Sequence, residues 1–564
     1  MVIIKNCVRT RVDGLSVIKI PPQPPINELN VLVIDGQSLV QDTIKSAFMQ
    51  LGIEYVRCAQ NAFYALRLCE HISFDIILVA FDVRSDKDGF NLLEEMRFKG
   101  FIAKTTSVIF LSADTSAELV NCVIELQPDD FWVKPLDNSR VIQRINHILK
   151  IKNKLYRLNY CFDQEEYPSA IYLAQRQLED ESLVQYRPQI NRMIGRCLFN
   201  LQEYADAETF YRQLLSQYDY GWVAVGLVRT LLKQGKTKQA QTLADGLLER
   251  DDTRFATYDT LTEFYIEKED YEKGYALIKE ASKLAPRNIE RHRKAWDLAR
   301  LNHDPMGQYL ATQSMAKYAK NSIHDRPELA LNVIRAGIDL AATVSATQSK
   351  NLLAEIERKL AIVEQEYASV SDFNSQLTVI RARLLSLQDN KKQAEELMQN
   401  QSQVNSWHSI EDNLDKVKAL HEVGQREQAV SILERMKEQI GDNRFTSQVM
   451  AEYIDQEHHE RSEIHHSPKE LAEMASVHYK NKRYAPAYKM LTQALQLAPK
   501  NPNIGLSLLK VLARLAQDEG LNEEQQSGLK HCKALLKTAE LSAQQKLKQA
   551  QYVEAINQHH SVRR

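Results

Sequence analysis

A carboxylate at Asp35, a hydroxyl at Ser112 and an ammonium at Lys134 each come at the end of a strand-like, largely apolar run ("VLVI", "SVIFL" and "DFWV"). A fourth such run, "IILV" in "FDIILVAFDVRSDKDG" (74–89), delivers Ala80 instead of a polar group. The nearest carboxylate on that stretch, Asp82, comes two residues later. Lysine and aspartate side chains can pair with each other, whereas a methyl group neither attacks nor coordinates anything. Residues 80 and 82 fall on the same side of an extended chain. Two readings therefore stay open: a site with an inert corner at Ala80, or one that uses Asp82 with Asp86 or Asp88 as helpers.

These residues need a scaffold that brings strand ends together. From "LNVLVIDG" (29–36) to residue 149, strand-like runs alternate with amphipathic stretches. "VLVID", "EYVRCA", "FDIILVA", "SVIFLSA" and "DFWVKPL" precede predicted helices at 38–51, 61–71, 89–99, 115–126 and 138–150. Five β-then-α units predict an α/β domain with a doubly wound parallel sheet. Ligands on such sheets sit outside the carboxy ends of the strands. Asp35, Ala80, Ser112 and Lys134 all map to that edge. The residues at 138–160 contain no Gly or Pro, so the last helix is expected to run on into the next domain as a stiff junction.

Beyond residue 150 the strand signals stop and an all-α region begins. "YADAETFYRQLLSQYD", "GKTKQAQTLADGLLERDD" and "DYEKGYALIKEASKLAP" place small residues at Ala207, Ala240 and Gly274, 33 or 34 residues apart. That is the tetratricopeptide (TPR) length, at which paired helices stack through small side chains. Ala170 marks an earlier unit and Gly307 a degenerate one. Ala394, Gly424 with Ala429, and Ala487 with Ala494 and Pro499 repeat the theme later. Between 320 and 370 the chain reads as helical without assignable repeats. The expected organisation is an N-terminal arm at 1–28 containing "PPQPP", an α/β domain at 29–150, repeats at 151–320, and further TPR-like helices at 321–564 ending in a capping helix.

A chain of 564 residues exceeds one core. Its net charge of −2 gives no general attraction for nucleic acid or an acidic membrane surface. No apolar run is long enough to span a bilayer. "MVIIKNCVRTRVDG" is too short in apolar residues for a signal peptide. Cys7, Cys58, Cys69, Cys122, Cys161, Cys197 and Cys532 lack CxxC spacing and read as reduced, mostly buried thiols. A cytoplasmic location is the expectation. His458, His459, His465 and His466 cluster in "DQEHHERSEIHH" without a nearby cysteine, which favours a solvated loop over a zinc site. No Gly-rich phosphate loop, nucleophile–His–acid set or DNA-reading helix stands out, so neither an enzyme nor direct DNA binding is expected.

The pieces "VLVIDG" (31–36), "FDIILVA" (74–80), "KDGFNLLEEMR" (87–97), "FLSA" (110–113) and "DDFWVKPL" (129–136) together resemble the receiver domain of bacterial two-component response regulators. With the repeats behind it, the chain resembles the receiver–TPR response regulators. The resemblance implies an aspartate ending the third strand that takes a phosphoryl group from a phosphohistidine. It also implies Mg²⁺ held by that aspartate and an acidic pair ending the first strand, because a carboxylate attacks an anion poorly unless charge is neutralised. Lys134, followed by Pro135, matches the phosphate-gripping lysine; Ser112 matches the hydroxyl and Phe131 the aromatic switch. Asp35 matches one member of the acidic pair, but its neighbour is Gly36 and the acceptor position holds Ala80. Both departures remove oxygen ligands. A degenerate site, a pseudo-receiver, is expected, with Lys134 and Asp35 forming a salt bridge and no metal, or weak Mg²⁺ at Asp35. Mg²⁺ would matter only if Asp82 were the acceptor.

The expected function is a non-enzymatic regulator that docks on a histidine kinase or phosphotransfer domain and inhibits transfer to another response regulator. The repeats would offer a groove to a protein or peptide. The alternatives are a switched regulator phosphorylated at Asp82 and a TPR scaffold.

Overall fold

A computed structural model describes residues 20–83, 87–344, 346–366, 371–388, 390–399, 409–439, 444–464, 466, 468–498, 501–518, 520–539 and 541–561. Cys7, Asp86, His465 and Pro499, and the arm as far as residue 19, lie outside the described residues. The chain divides into two compact units. The first takes in the chain to Asn288 together with Tyr318–His324, and the second takes in Ile289–Lys317 and the chain from Asp325.

In the first unit five parallel strands, β1 (Val31–Ile34), β2 (Val56–Ala59), β3 (Ile76–Ala80), β4 (Ser107–Ser112) and β5 (Asp130–Val133), line up in the order β2-β1-β3-β4-β5. Every residue of β1, β3 and β4 is buried, which is why these runs are apolar throughout instead of alternating. The connecting helices are α1 (Ser38–Gln50), α2 (Ala62–Cys69), α3 (Gly89–Phe98), α4 (Ala117–Leu126) and α5 (Asn138–Asp163). Val31, Val33, Leu78, Ala80 and Leu111 form one core layer with residues of α1 and α5. Leu32, Ile34, Val79 and Phe110 form the opposite layer with residues of α2, α3 and α4. Side chains of Asn61, Asp88 and Asp137 accept the orphan N–H groups that open α2, α3 and α5.

The helix α5 continues without a break to Asp163, so residue 150 is not the end of an element. The helices that follow are α6 (Tyr167–Glu179), α7 (Arg187–Asn200), α8 (Tyr204–Leu215), α9 (Gly221–Lys233), α10 (Thr237–Leu248), α11 (Arg254–Glu267) and α12 (Tyr271–Leu284). Helices α8, α10 and α12 start 33 and 34 residues apart, and Ala207 and Ala240 are fully buried. The turns repeat as well: Gln202, Gly235 and Glu269 all take positive φ. After each, the next N–H returns to a helix carbonyl five residues back (Glu203 to Leu198, Lys236 to Leu231, Asp270 to Tyr265). This Schellman closure satisfies carbonyls that the helix end leaves unpaired. Tyr211 on α8 fills the space that side chains at Gly195 and Gly226 would need, since a Cβ at Gly195 would lie 2.5 Å from its hydroxyl and one at Gly226 2.5 Å from its ring.

The second unit is helical among its described residues. Helices α13 (Ile289–Leu301) and α14 (Pro305–Ala319), the latter ending in the first unit, are followed by α15 (Pro327–Ala341), α16 (Ala346–Glu366), α17 (Ser371–Leu387), α18 (Lys391–Gln399), α19 (Ile410–Glu422), α20 (Arg426–Gln439) and α21 (Arg444–Glu463). Then come α22 (Pro468–Lys480), α23 (Tyr484–Leu497), α24 (Pro502–Asp518), α25 (Glu523–Thr538) and α26 (Ala543–Ser561), with α26 packed on α24. No described helix is long and apolar enough to cross a membrane.

Candidate functional site

Strand register assembles the site. Ile34 pairs with Val79, which sets Asp35 beside Ala80 at adjacent strand ends. Ser112 pairs with Val133 and its carbonyl accepts from the Lys134 N–H at 2.9 Å, which brings Lys134 to the same edge.

Asp35 is fully buried. Its Oδ1 accepts from the Gln37 N–H at 2.9 Å, and Lys134 Nζ lies 2.6 Å from Oδ2. The Gln41 side chain ties the carbonyls of Asp35 and Ala59 together, at 2.6 and 3.1 Å, fixing the end of β1 against β2. Ser112 is 2% exposed and its Oγ accepts from the Asp114 N–H at 3.0 Å. The Lys134–Pro135 peptide bond is cis. Phe131 is half-buried and stacks on Phe110 at 6.2 Å, and Phe110 in turn meets Phe81 at 6.5 Å.

The corner at Ala80 is apolar and sealed. Its methyl has no solvent exposure and belongs to the apolar layer beneath α1 and α5. The next residue, Phe81, continues the hydrogen bonding to β4 through its N–H and then accepts from the Gly89 N–H at 2.8 Å. A Cβ on Gly89 would sit 1.9 Å from the Ala80 carbonyl oxygen, so only glycine fits this close approach. The "KDG" stretch thus has a local physical role: Asp88 caps α3, Gly89 closes on β3, and Lys87 pairs with Glu95. Burial pulls the Glu95 carboxyl upward, yet Lys87 and Lys99 hold it below its ordinary value.

Asp82 is exposed and has no hydrogen bond or ion pair among the described residues. The strand ends at Ala80 instead of carrying Asp82 onward. The donor set does not suit a divalent cation. Gly36 and Ala80 offer no side-chain oxygen, and the outer oxygen of Asp35 already faces an ammonium; Mg²⁺ requires near-ideal octahedral oxygen coordination. No cluster of three or more potential metal ligands occurs among the described residues. His458 and His459 lie on α21, each 3.7 to 3.8 Å from a glutamate.

The helical region reaches this edge, which sequence reasoning did not anticipate. Phe255 of α11 and Ala285, just after α12, are buried in the same apolar cluster as residues of α3 and α4. Arg287 places a guanidinium nitrogen 2.6 Å from Asp88 Oδ2 and stacks over the rings of Phe81 (5.2 Å) and Phe90 (6.0 Å). Arg254 donates to Asn121 at 3.2 Å, and His324 Nε2 lies 3.6 Å from Glu94. Phe81 thereby links the Arg287 contact to Phe110 and Phe131. No local motif marks Arg287; it follows Pro286 in a turn that reads as ordinary.

Comparison with known proteins identifies the family of the N-terminal domain. The response regulator receiver domain family matches residues 31–146. The chemotaxis protein CheY of Treponema pallidum is 30% identical over 122 residues, which cover 21% of this chain and 82% of that protein. CheY of Bacillus subtilis is 29% identical over 120 residues, 21% of this chain and 96% of its own length. Among solved structures, the receiver domain of Francisella response regulator 1452 is 29% identical with a TM-score of 0.20, covering 22% of this chain and 98% of that one. The chain belongs to the response regulator receiver family, with a CheY-like receiver domain at its N-terminus followed by a long helical region.

Proposed function

We propose that this receiver domain is a pseudo-receiver that docks on a histidine kinase or phosphotransfer domain and slows phosphotransfer to a competent response regulator. The observation that carries the reading is the sealed Ala80 methyl beside an Asp35 already paired with Lys134. Such a surface can be occupied by a phosphodonor without removing its phosphoryl group, because nothing at the acceptor position can attack phosphorus. Leu39 on α1 and Val133 at the end of β5, 77% and 47% exposed, stand in solvent and offer apolar contact area near that edge. The helical region, read as TPR repeats, adds a second contact on the same chain. Tethering then raises the effective concentration of a weak docking event.

The test is radiolabelled phosphotransfer from a histidine kinase to its regulator with the full chain titrated in. The initial rate should fall as the chain saturates, while no label appears on the chain itself. Unchanged transfer at saturation removes the inhibitor reading. A second reading rests on Asp82, which is exposed and unpaired: a Mg²⁺-dependent phosphoryl adduct that disappears in Asp82→Ala would replace the pseudo-receiver with a switched regulator.

A further inference from the structure

Several basic residues on and between α8 to α11 pair with a nearby acid. Arg212 and Lys236 share Glu208, Lys233 meets Glu267, Arg250 meets Asp219 and Arg254 meets Asp251. Arg192 and Arg196, one turn apart on α7, and Arg229 on α9 make no ion pair among the described residues. All three act on the hydroxyl of Tyr211, the ring wedged between Gly195 and Gly226. The Arg229 guanidinium lies over the Phe199 ring at 4.3 Å. Arg196 Nη2 donates to Gln127 Oε1 at 3.4 Å, and the carbonyl of the same Gln127 accepts from Arg97 at 3.5 Å. Gln127 therefore joins the arginines of the repeats to the receiver domain, where Lys104 feels the charges of both Arg97 and Arg196.

Five cations thus gather where the receiver meets α7 and α9. Two carboxylates, Asp129 and Asp163, act on this cluster, and each also accepts from backbone N–H groups: Val108 at 2.7 Å for Asp129, and Lys104 and Thr105 at 2.8 and 3.1 Å for Asp163. Five cations served by two carboxylates leave an excess of positive charge whose cost an incoming anion relieves.

We infer that the cluster of Arg97, Lys104, Arg192, Arg196 and Arg229 is a docking surface for an acidic peptide segment of a partner protein, bridging the receiver domain and the first repeats. Guanidinium forks pair with carboxylates in a planar, bidentate way. Phe199 and Tyr211 give the site apolar and hydroxyl neighbours that suit a peptide. A nucleic-acid strand instead needs an extended basic track, and here the neighbouring helices carry acid-paired cations on a chain of net charge −2. The surface is distinct from the strand edge at Ala80, so it stands or falls independently of kinase docking.

The experiment measures fluorescence anisotropy of a short fluorescein-labelled peptide of alternating glutamate and alanine with the full chain. Binding is expected, weakening steeply with added salt. The triple variant R192Q/R196Q/R229Q should bind at least about tenfold more weakly, while R212Q, on the acid-paired side of α8, should bind as the unaltered chain does. Circular dichroism checks the fold of each. Arg192→Gln alone, at an exposed position, should still weaken binding about threefold if the triple variant misfolds. Unchanged affinity in the folded triple variant or in Arg192→Gln overturns the inference. Displacement of the peptide by single-stranded DNA at lower concentration than by unlabelled peptide overturns it as well, in favour of a nucleic-acid surface.

Discussion

Asp35 with Lys134 in the first unit, and Arg383 with its carboxylates in the second, are both buried ionic systems, yet they differ in construction. The first is a pair closed by one ammonium at 2.6 Å, at the ends of two strands. The second draws on three helices. Arg383 of α17 is 3% exposed and reaches Asp415 at 2.7 Å, Asp339 at 2.8 Å and Glu422 at 3.0 Å. Lys418 supports Asp339 from its other side at 2.6 Å, and Arg335 of α15 pairs with Asp412 of α19. Burial works against the Arg383 charge, but its three carboxylates hold its pKa well above the ordinary value. This network forms part of the wall of a cleft of ≈ 1140 Å³. The strand-end pair ties two strand ends together, whereas the network ties three helices together. Burying charge lowers stability unless the partners are complete, so the penalty for removing one partner should scale with the number left behind.

The largest effect is expected from Arg383→Met. It strands Glu422 and leaves Asp415 only the more distant Arg335 at 3.5 Å, and loss of one partner of a buried pair alone costs about 3–5 kcal/mol. The calorimetric transition of that unit should fall by about 10 °C or more. Lys134→Met leaves one carboxylate, Asp35, which keeps its bond from the Gln37 N–H. Its cost should be smaller, about 3 kcal/mol. Adding Asp35→Asn to Lys134→Met should recover most of that loss, because the orphaned charge is then gone. If Lys134→Met costs as much as Arg383→Met, the distinction between pair and network is wrong.

The same contrast explains what could be read from the sequence. The strand-end pair was legible because a parallel sheet brings the carboxy ends of successive apolar runs to one edge, and Asp35, Ser112 and Lys134 each follow such a run. Ala80 was legible for the same reason, through the run "IILV" that it closes. The network was not legible: Arg335, Arg383 and Asp415 lie on helices dozens of residues apart, and helical periodicity does not tell which polar residue turns inward. The small residues at 207 and 240 announced close helix packing, but Gly195 and Gly226, which admit the Tyr211 ring, fall outside that pattern. Docking of α11 and α12 on the receiver escaped detection because Phe255 and Ala285 would look the same if they faced another repeat. Non-glycine residues at the positive-φ turns, Gln202 and Glu269, also hid the repeat boundaries from any search for glycine.

The smallest effect tests whether a half-buried carboxyl of the second unit can be titrated. Glu460 on α21 lies among Glu457, Arg461 and His303, with burial first and the Glu457 charge second raising its pKa to about 7. A carboxyl raised in this way keeps a proton that the unfolded chain has released above its ordinary value of 4.5. The folded form therefore binds more protons between pH 4.5 and about 7, and its stability falls as pH rises through that window. Asp297, raised to about 6 mainly by burial, adds to the fall. His421, pushed down to about 4 by burial and then by Arg461, acts in the opposite sense below its ordinary 6.5. Glu460→Gln should therefore leave stability near pH 4.5 unchanged and raise it above pH 7 by on the order of 1–2 kcal/mol. Denaturant unfolding of the second unit at the two pH values measures the difference. A loss of stability above pH 7 would instead mean that the charged carboxylate is a required partner of Arg461, and that this corner behaves like the Arg383 network.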